Sequence, residues 1–233
     1  NSNNGGNTGS DEKSDCECDA GFATPTSGEQ QDPDTCVVCP AGQWKSSSTT
    51  SYAGSSPCTL CVSGKYQALP QQTTINSCIT CPSNSDSPES SNELMDCVGV
   101  AGYHGSGSVT ACAADTYKTN ALSSDACLTC PTNSNTGSNT GNSLLSDCEC
   151  DAGFATPTSG EQQEPGKCAV CPAGQWKSSS TTSFTGSSPC TLCVSGKYKA
   201  LPQQTTDSCI DCPVKSDSPE SSNELMDCVG VAG

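Results

Sequence analysis

Apolar side chains never gather along this chain. They come singly or in short groups, with no run long enough to span a bilayer and no stretch at helical period. Leu94-Met95 and Leu144-Leu145 allow at best one helical turn each. What recurs is a short pattern in which a cysteine is followed by x-x-Gly-x-aromatic or Ala-Gly-aromatic. It reads CDAGF at Phe22, CPAGQW at Trp44, CVSGKY at Tyr66, VAGY at Tyr103 and CAADTY at Tyr117, and Phe154, Trp176 and Tyr198 repeat it. Two further segments open as CPSNSDSP and CPTNSNTG and close as SNELMDC and NSLLSDC. The pattern predicts modules of about 20 residues built from short hairpins and Gly, Pro, Ser and Thr turns, with little or no helix. The aromatic is expected to lie flat on a disulfide as a miniature core.

A longer period encloses the short one. Cys16-ECDAGFATPTSGEQ-Gln31 recurs unchanged from Cys148 to Gln163, and SDSPESSNELMDCVGVAG recurs at Ser85 and Ser216. The offset is 132 residues, falling to 131 after Ile75, which has no counterpart. Residues 1–15 then read as the end of a preceding module and 16–147 as one unit of seven modules, divided into 16–96 and 97–147. Residues 148–233 read as a second, truncated unit, so the sequence is taken as a window on a longer polypeptide.

Composition changes the picture in two ways. Of 233 residues 21 are cysteine and only ten are aromatic (three Phe, two Trp, five Tyr), so covalent staples must supply order that a hydrophobic core cannot. The formal charge of −16, with nine lysines and no arginine, argues against nucleic-acid binding and against docking on anionic lipid. A solvated extracellular surface fits it.

Cysteine pairs at CxxC-x18-CxxC also match zinc sites, all-cysteine and intracellular. A lone histidine, the lack of basic character and the cysteine arithmetic favour disulfides instead. If the last cysteine of each pair bonds to the first of the next, the bridges are Cys18–Cys36, Cys39–Cys58, Cys61–Cys78, Cys81–Cys97, Cys112–Cys127 and Cys130–Cys148. They continue as Cys150–Cys168, Cys171–Cys190, Cys193–Cys209 and Cys212–Cys228, leaving Cys16 unpaired in this window. Cys97 and Cys112 stand single, and the cysteines missing beside them, at Gly99 and Val109, would be each other's partners. A whole bridge is absent there. The rival scheme joins whole pairs to whole pairs, and seven stations per unit make it alternate between near-identical units. Each sequential bridge closes a loop of about 16–20 residues, worth on the order of 3 kcal/mol in the chain-entropy account. Local bridges predict an elongated rod in which modules contact only their neighbours. The unstapled, glycine-rich VGVAGYHGSGSVTA is expected to be a bend or flexible joint.

CPAGQW…CTLCVSGKY…CITCPSNSDSPESSNELMDC together with DCECDAGF resembles the cysteine-rich repeats of ciliate surface antigens of the immobilisation type. The chain is also similar to ephrin-receptor-like extracellular modules, and DCECDAGF alone looks like the last loop of an EGF module. In such a loop the second cysteine of CxC bonds onward past the Gly-aromatic, which agrees with Cys18–Cys36. The ciliate resemblance implies a lipid-anchored coat protein; the Gln doublets at Gln30-Gln31, Gln71-Gln72 and Gln162-Gln163 and the lack of Arg lean the same way.

No residue constellation suggests catalysis or a cofactor. His104 sits in YHGSGS with no second histidine to build a triad or metal site. The acidic groups Asp15, Glu17, Asp19 and Asp147, Glu149, Asp151 lack a calcium-loop signature and read as solvated turns. Ser46, Ser47, Ser48, Thr49 and Thr50, with Ser178, Ser179, Ser180, Thr181 and Thr182, are candidate O-glycosylation sites, and no N-glycosylation signal occurs. Trp44 and Trp176 read as module core before contact residues. The expectation is a non-enzymatic extracellular structural protein, a surface coat or filament subunit that self-associates through faces repeated every unit. The alternative is a receptor or adhesion ectodomain that binds a specific ligand.

Overall fold

The turn that opens each module explains the glycine of the short pattern. In a computed structural model, which describes residues 2–3, 17–24, 36–46, 57–156, 167–178 and 189–231, Pro40 to Gln43 form a tight turn. The Gln43 N–H donates to the Pro40 carbonyl at 3.2 Å, and Gly42 stands at φ +82°, the left-handed third position of a type II turn. The same bond joins Lys65 to Val62, Tyr103 to Val100 and Ser216 to Pro213. The segments opening as CPSN and CPTN use the same conformation without glycine: Asn84 is at φ +62° and Asn133 at +63°. Asparagine tolerates that region. Asp115 (+61°) and Lys215 (+65°) occupy the slot at greater steric cost. The sequence's two module classes are therefore one.

Two strand residues follow each turn and pair with the two residues after the next cysteine. Phe22–Ala23 pairs antiparallel with Val37–Val38, Gln43–Trp44 with Thr59–Leu60, and Lys65–Tyr66 with Ile79–Thr80. Thr116–Tyr117 pairs with Leu128–Thr129, and Gln175–Trp176 with Thr191–Leu192. No α-helix occurs among the described residues; the helical turns are 3-10, at Ile75–Ser77, Leu94–Asp96, Leu145–Asp147 and Leu225–Asp227. In the SNELMDC and NSLLSDC closings the aspartate before the cysteine holds its turn. Asp96 Oδ2 accepts the Asn92 and Glu93 amides at 2.8 and 3.1 Å, and Asp147 Oδ2 accepts those of Ser143 and Leu144 at 2.9 Å each.

Ten disulfides close the modules in sequential order, each spanning 15 to 19 residues with Cα atoms 5.5 to 5.8 Å apart. The fold class is thus small disulfide-rich repeats of short β-hairpins. Neighbouring modules are stitched by the loop that precedes each closing cysteine. The Lys45 N–H donates to the Gln72 carbonyl at 3.0 Å, and the Gln67 and Lys199 amides donate to Ser91 and Ser222 in the equivalent places. Before each stitching residue lies another left-handed position: Gln71, Ser90, Gly141, Gln203 and Ser221. Its amide donates to a cysteine carbonyl of the previous module, Gln71 to Cys39 and Ser90 to Cys61. The Gln doublet at Gln71-Gln72 is therefore a turn and a stitch.

Contacts reach further than nearest neighbours. A Cβ at Gly42 would lie 2.2 Å from the Ser90 carbonyl oxygen, two modules on, and one at Gly174 the same distance from that of Ser221. Glycine there serves close packing as well as the turn. The expected nearest-neighbour stack is corrected accordingly: pleated turns let alternate modules touch.

Phe22 is buried, while Trp44, Tyr66, Tyr103, Tyr117, Phe154, Trp176 and Tyr198 are half-buried. The buried positions are half-cystines, among them Cys39, Cys61, Cys97, Cys112, Cys148, Cys150, Cys171 and Cys193, and a set of polar side chains. With two-residue strands there is no sheet wide enough to cover a ring.

The bridgeless stretch is folded, not open. The Gly99 N–H donates to the Gly105 carbonyl at 3.0 Å and the Gly107 N–H to the Cys97 carbonyl at 2.8 Å, while Val98 bridges Ser106. At Gly99, where the lost cysteine would stand, a Cβ would lie 2.4 Å from the Tyr103 carbonyl oxygen. Backbone has moved into the space of the missing disulfide. By packing, the chain forms two compact units, Asn1–Thr110 with Asn120–Asp125, and Ala111–Thr119 with Ala126–Gly233. That division falls at the end of this stretch.

Candidate functional site

In eight of the eleven modules the third residue after the left-handed turn position is a buried polar slot, the exceptions being Thr24, Gly105 and Thr156. It holds Lys45, Gln67, Ser87, Lys118, Thr136, Lys177, Lys199 and Ser218, each almost fully buried. Backbone carbonyls line it, so the slot selects donors of differing length. Ser87 Oγ donates to the Lys65 carbonyl at 3.0 Å and Ser218 Oγ to the Lys197 carbonyl at 3.1 Å. Gln67 bonds the Leu69 carbonyl at 2.6 Å and accepts the Leu69 amide. Lys45 Nζ reaches the Cys18 carbonyl at 3.3 Å; its equivalent Lys177 reaches the carbonyls of Cys150 at 3.3 Å and Phe154 at 2.9 Å. Lys199, where the first copy has Gln67, donates to the Thr206 carbonyl at 2.8 Å and to Ser208 Oγ at 2.5 Å. Burial pushes the pKa of Lys177 below its ordinary value, against the opposing pull of Glu149 and Asp151. Burial likewise lowers Lys199, with Asp207 opposing. The slot consumes its donors internally, which satisfies the rule that buried polar groups be paired. Its chemistry is structural.

Outward, the molecule shows the residues between paired cysteines. Val37, Val38, Leu60, Ile79, Leu128, Val170, Leu192 and Ile210 are exposed on the second strands of their hairpins. The two copies present them alike: Leu60 is 41% and Leu192 42% exposed, and Leu69 and Leu201 are 65% each. Sequence reasoning did not single these residues out. The signal that reveals them is that CxxC puts both cysteines inward and leaves its middle pair outside.

The other sequence candidates fall as follows. Cys16, Asp15, Ser47, Ser48, Thr49, Thr50, Ser179, Ser180, Thr181 and Thr182 lie outside the described residues, as do Gln30-Gln31 and Gln162-Gln163. Ser46 and Ser178 are exposed where those serine and threonine runs begin. His104 is half-buried in the Tyr103–His104 strand. Asp147 is occupied by its turn amides, and Asp151 accepts Asn135 Nδ2 at 2.5 Å, so these carboxylates serve local structure. The backbone of Glu17 lies in a strand, and Glu149 pairs with Asn135 in register. No group of three His, Cys, Asp or Glu among the described residues is disposed to hold a metal. No helix among them is long and apolar enough to cross a membrane. Trp44 and Trp176 lie half-buried in hairpin strands opposite Thr59 and Thr191.

The density of disulfides marks a chain of oxidising, extracellular compartments. Comparison with known protein families and with curated proteins finds no match for it.

Proposed function

We propose that this chain is a non-enzymatic structural protein of the extracellular side, a surface coat or filament subunit that associates with copies of itself. The observation that carries the reading is the recurrence of near-identical exposed apolar positions in both copies, Leu60 with Leu192 and Leu69 with Leu201. One contact made by such a face is available again one repeat later, so weak contacts add along the chain. The buried slots support the same reading, because their polar groups are turned to the backbone rather than to a ligand. The resemblance to ciliate surface antigens points the same way. On this reading, O-linked sugars attach to the runs beginning at Ser46 and Ser178.

Sedimentation and negative-stain imaging of the purified chain test the proposal. Filaments or a regular layer, lost in the double variant Leu60→Glu/Leu192→Glu, are the expected result. Isolated particles at every concentration, with saturable capture of one ligand, would instead identify a receptor or adhesion ectodomain.

A further inference from the structure

The chain's two methionines, Met95 and Met226, stand in identical LMD turns. Met95 is 55% exposed and its sulfur rests on the bridgeless module. A Cβ at Gly107 would lie 2.8 Å from Met95 Sδ, so the thioether lies directly over this buried glycine, which stands at φ +66°. Gly107 is also the residue whose amide ties the module to the Cys97 carbonyl. Every other described module from Cys18 onward has a disulfide; this one has two glycine amides, a bridge at Val98 and Ser106, and the Met95 cover.

We propose that Met95 is an oxidation site through which a hydroperoxide loosens the bridgeless module. In that step a sulfur lone pair attacks the distal peroxide oxygen and the O–O bond breaks. The oxygen stays on sulfur as the sulfoxide, and with its proton shifted the remaining oxygen leaves as water or an alcohol. The thioether loses two electrons and the peroxide gains them. An apolar cover becomes a polar, chiral one over a closely fitted glycine, so the Gly107 and Gly99 bonds lose their shelter from water. The disulfides are already oxidised, which leaves the rest of the ladder indifferent to the reagent.

The test uses the intact chain treated with dilute hydrogen peroxide and followed by hydrogen exchange over residues 97–109. Oxidation should raise exchange at Gly99 and Gly107 about threefold to tenfold, and methionine sulfoxide reductase should restore it. The Met226→Leu variant should respond as fully as the parent, and Met95→Leu, a volume-conserving change, should not respond at all. Unchanged exchange with Met95 fully converted to sulfoxide overturns the proposal. So does a response that survives in Met95→Leu.

Discussion

A methyl group at Gly99 should loosen the bridgeless stretch. At Gly99 a Cβ would lie 2.4 Å from the Tyr103 carbonyl oxygen, 2.7 Å from its carbon and 3.0 Å from the His104 nitrogen. All three are backbone atoms held by the Gly99–Gly105 and Gly107–Cys97 hydrogen bonds, so no side-chain rotation relieves the clash. Overpacking of this kind costs about 1–3 kcal/mol. Gly99 does not have a positive φ, so the cost of alanine there is the contact and not the backbone conformation. Native-state hydrogen exchange reads the local opening directly. Gly99→Ala should accelerate exchange across residues 99–107 by about fivefold or more. Full protection of the Gly105-bonded amide in Gly99→Ala would refute the reasoning, because the carbonyl could then not occupy the place of the missing cysteine. The double variant Gly99→Cys/Val109→Cys should for the same reason fail to restore the lost bridge, leaving two alkylatable thiols.

Lys215→Asn should stabilise its module by about 0.5–1 kcal/mol, because asparagine pays less than lysine at φ +65°; exchange of the Ser216 amide measures it. Stability should rise with pH in the alkaline window below 10.5. There the unfolded chain still holds protons that buried Lys177 and Lys199 have released, so the unfolded state binds more protons. Replacing Lys199 by the Gln that fills this slot in the first copy should flatten part of that rise, measured by urea midpoints with Cys16 blocked. Under denaturing, non-reducing conditions the twenty ladder cysteines should resist alkylation and the chain should hold no zinc; stoichiometric zinc with many free thiols would sink the ladder. Asp96→Ala should free the Asn92 and Glu93 amides and raise exchange around the Cys97 bridge, at a cost of about 1 kcal/mol.

What was legible in the sequence was whatever the chain marks with rare residues. Cysteine spacing gave a ladder because each bridge is local, and glycine before a strand residue gave a turn because only a few residues enter the left-handed region. What was not legible depended on common residues in uncommon places. Nothing about a lysine, glutamine or serine three positions after a turn announces burial, since the slot asks for a hydrogen-bond donor and not for a residue class. Most aromatics are only half-buried, because two-residue strands cannot cover a ring and the half-cystines and slot residues take most of the interior. The CPSN and CPTN segments looked like a second kind of module because asparagine was not recognised as glycine's substitute at φ +62°.

The bridgeless stretch shows the limit most clearly. Two absent cysteines say that no staple stands there, and composition does not announce the hydrogen bonds that Gly99 and Gly107 make in its place. Removing a disulfide removes two side chains, and the volume they leave is available to backbone if the residue left behind has no Cβ. Glycine at 99 admits the Tyr103 carbonyl, and that approach lets Gly105 accept the Gly99 amide. The loss of the bridge and the gain of the hydrogen bonds are therefore one event, conditional on glycine. A valine at 99 would have lost the first without gaining the second, and only then would the stretch be the open joint that its composition suggests.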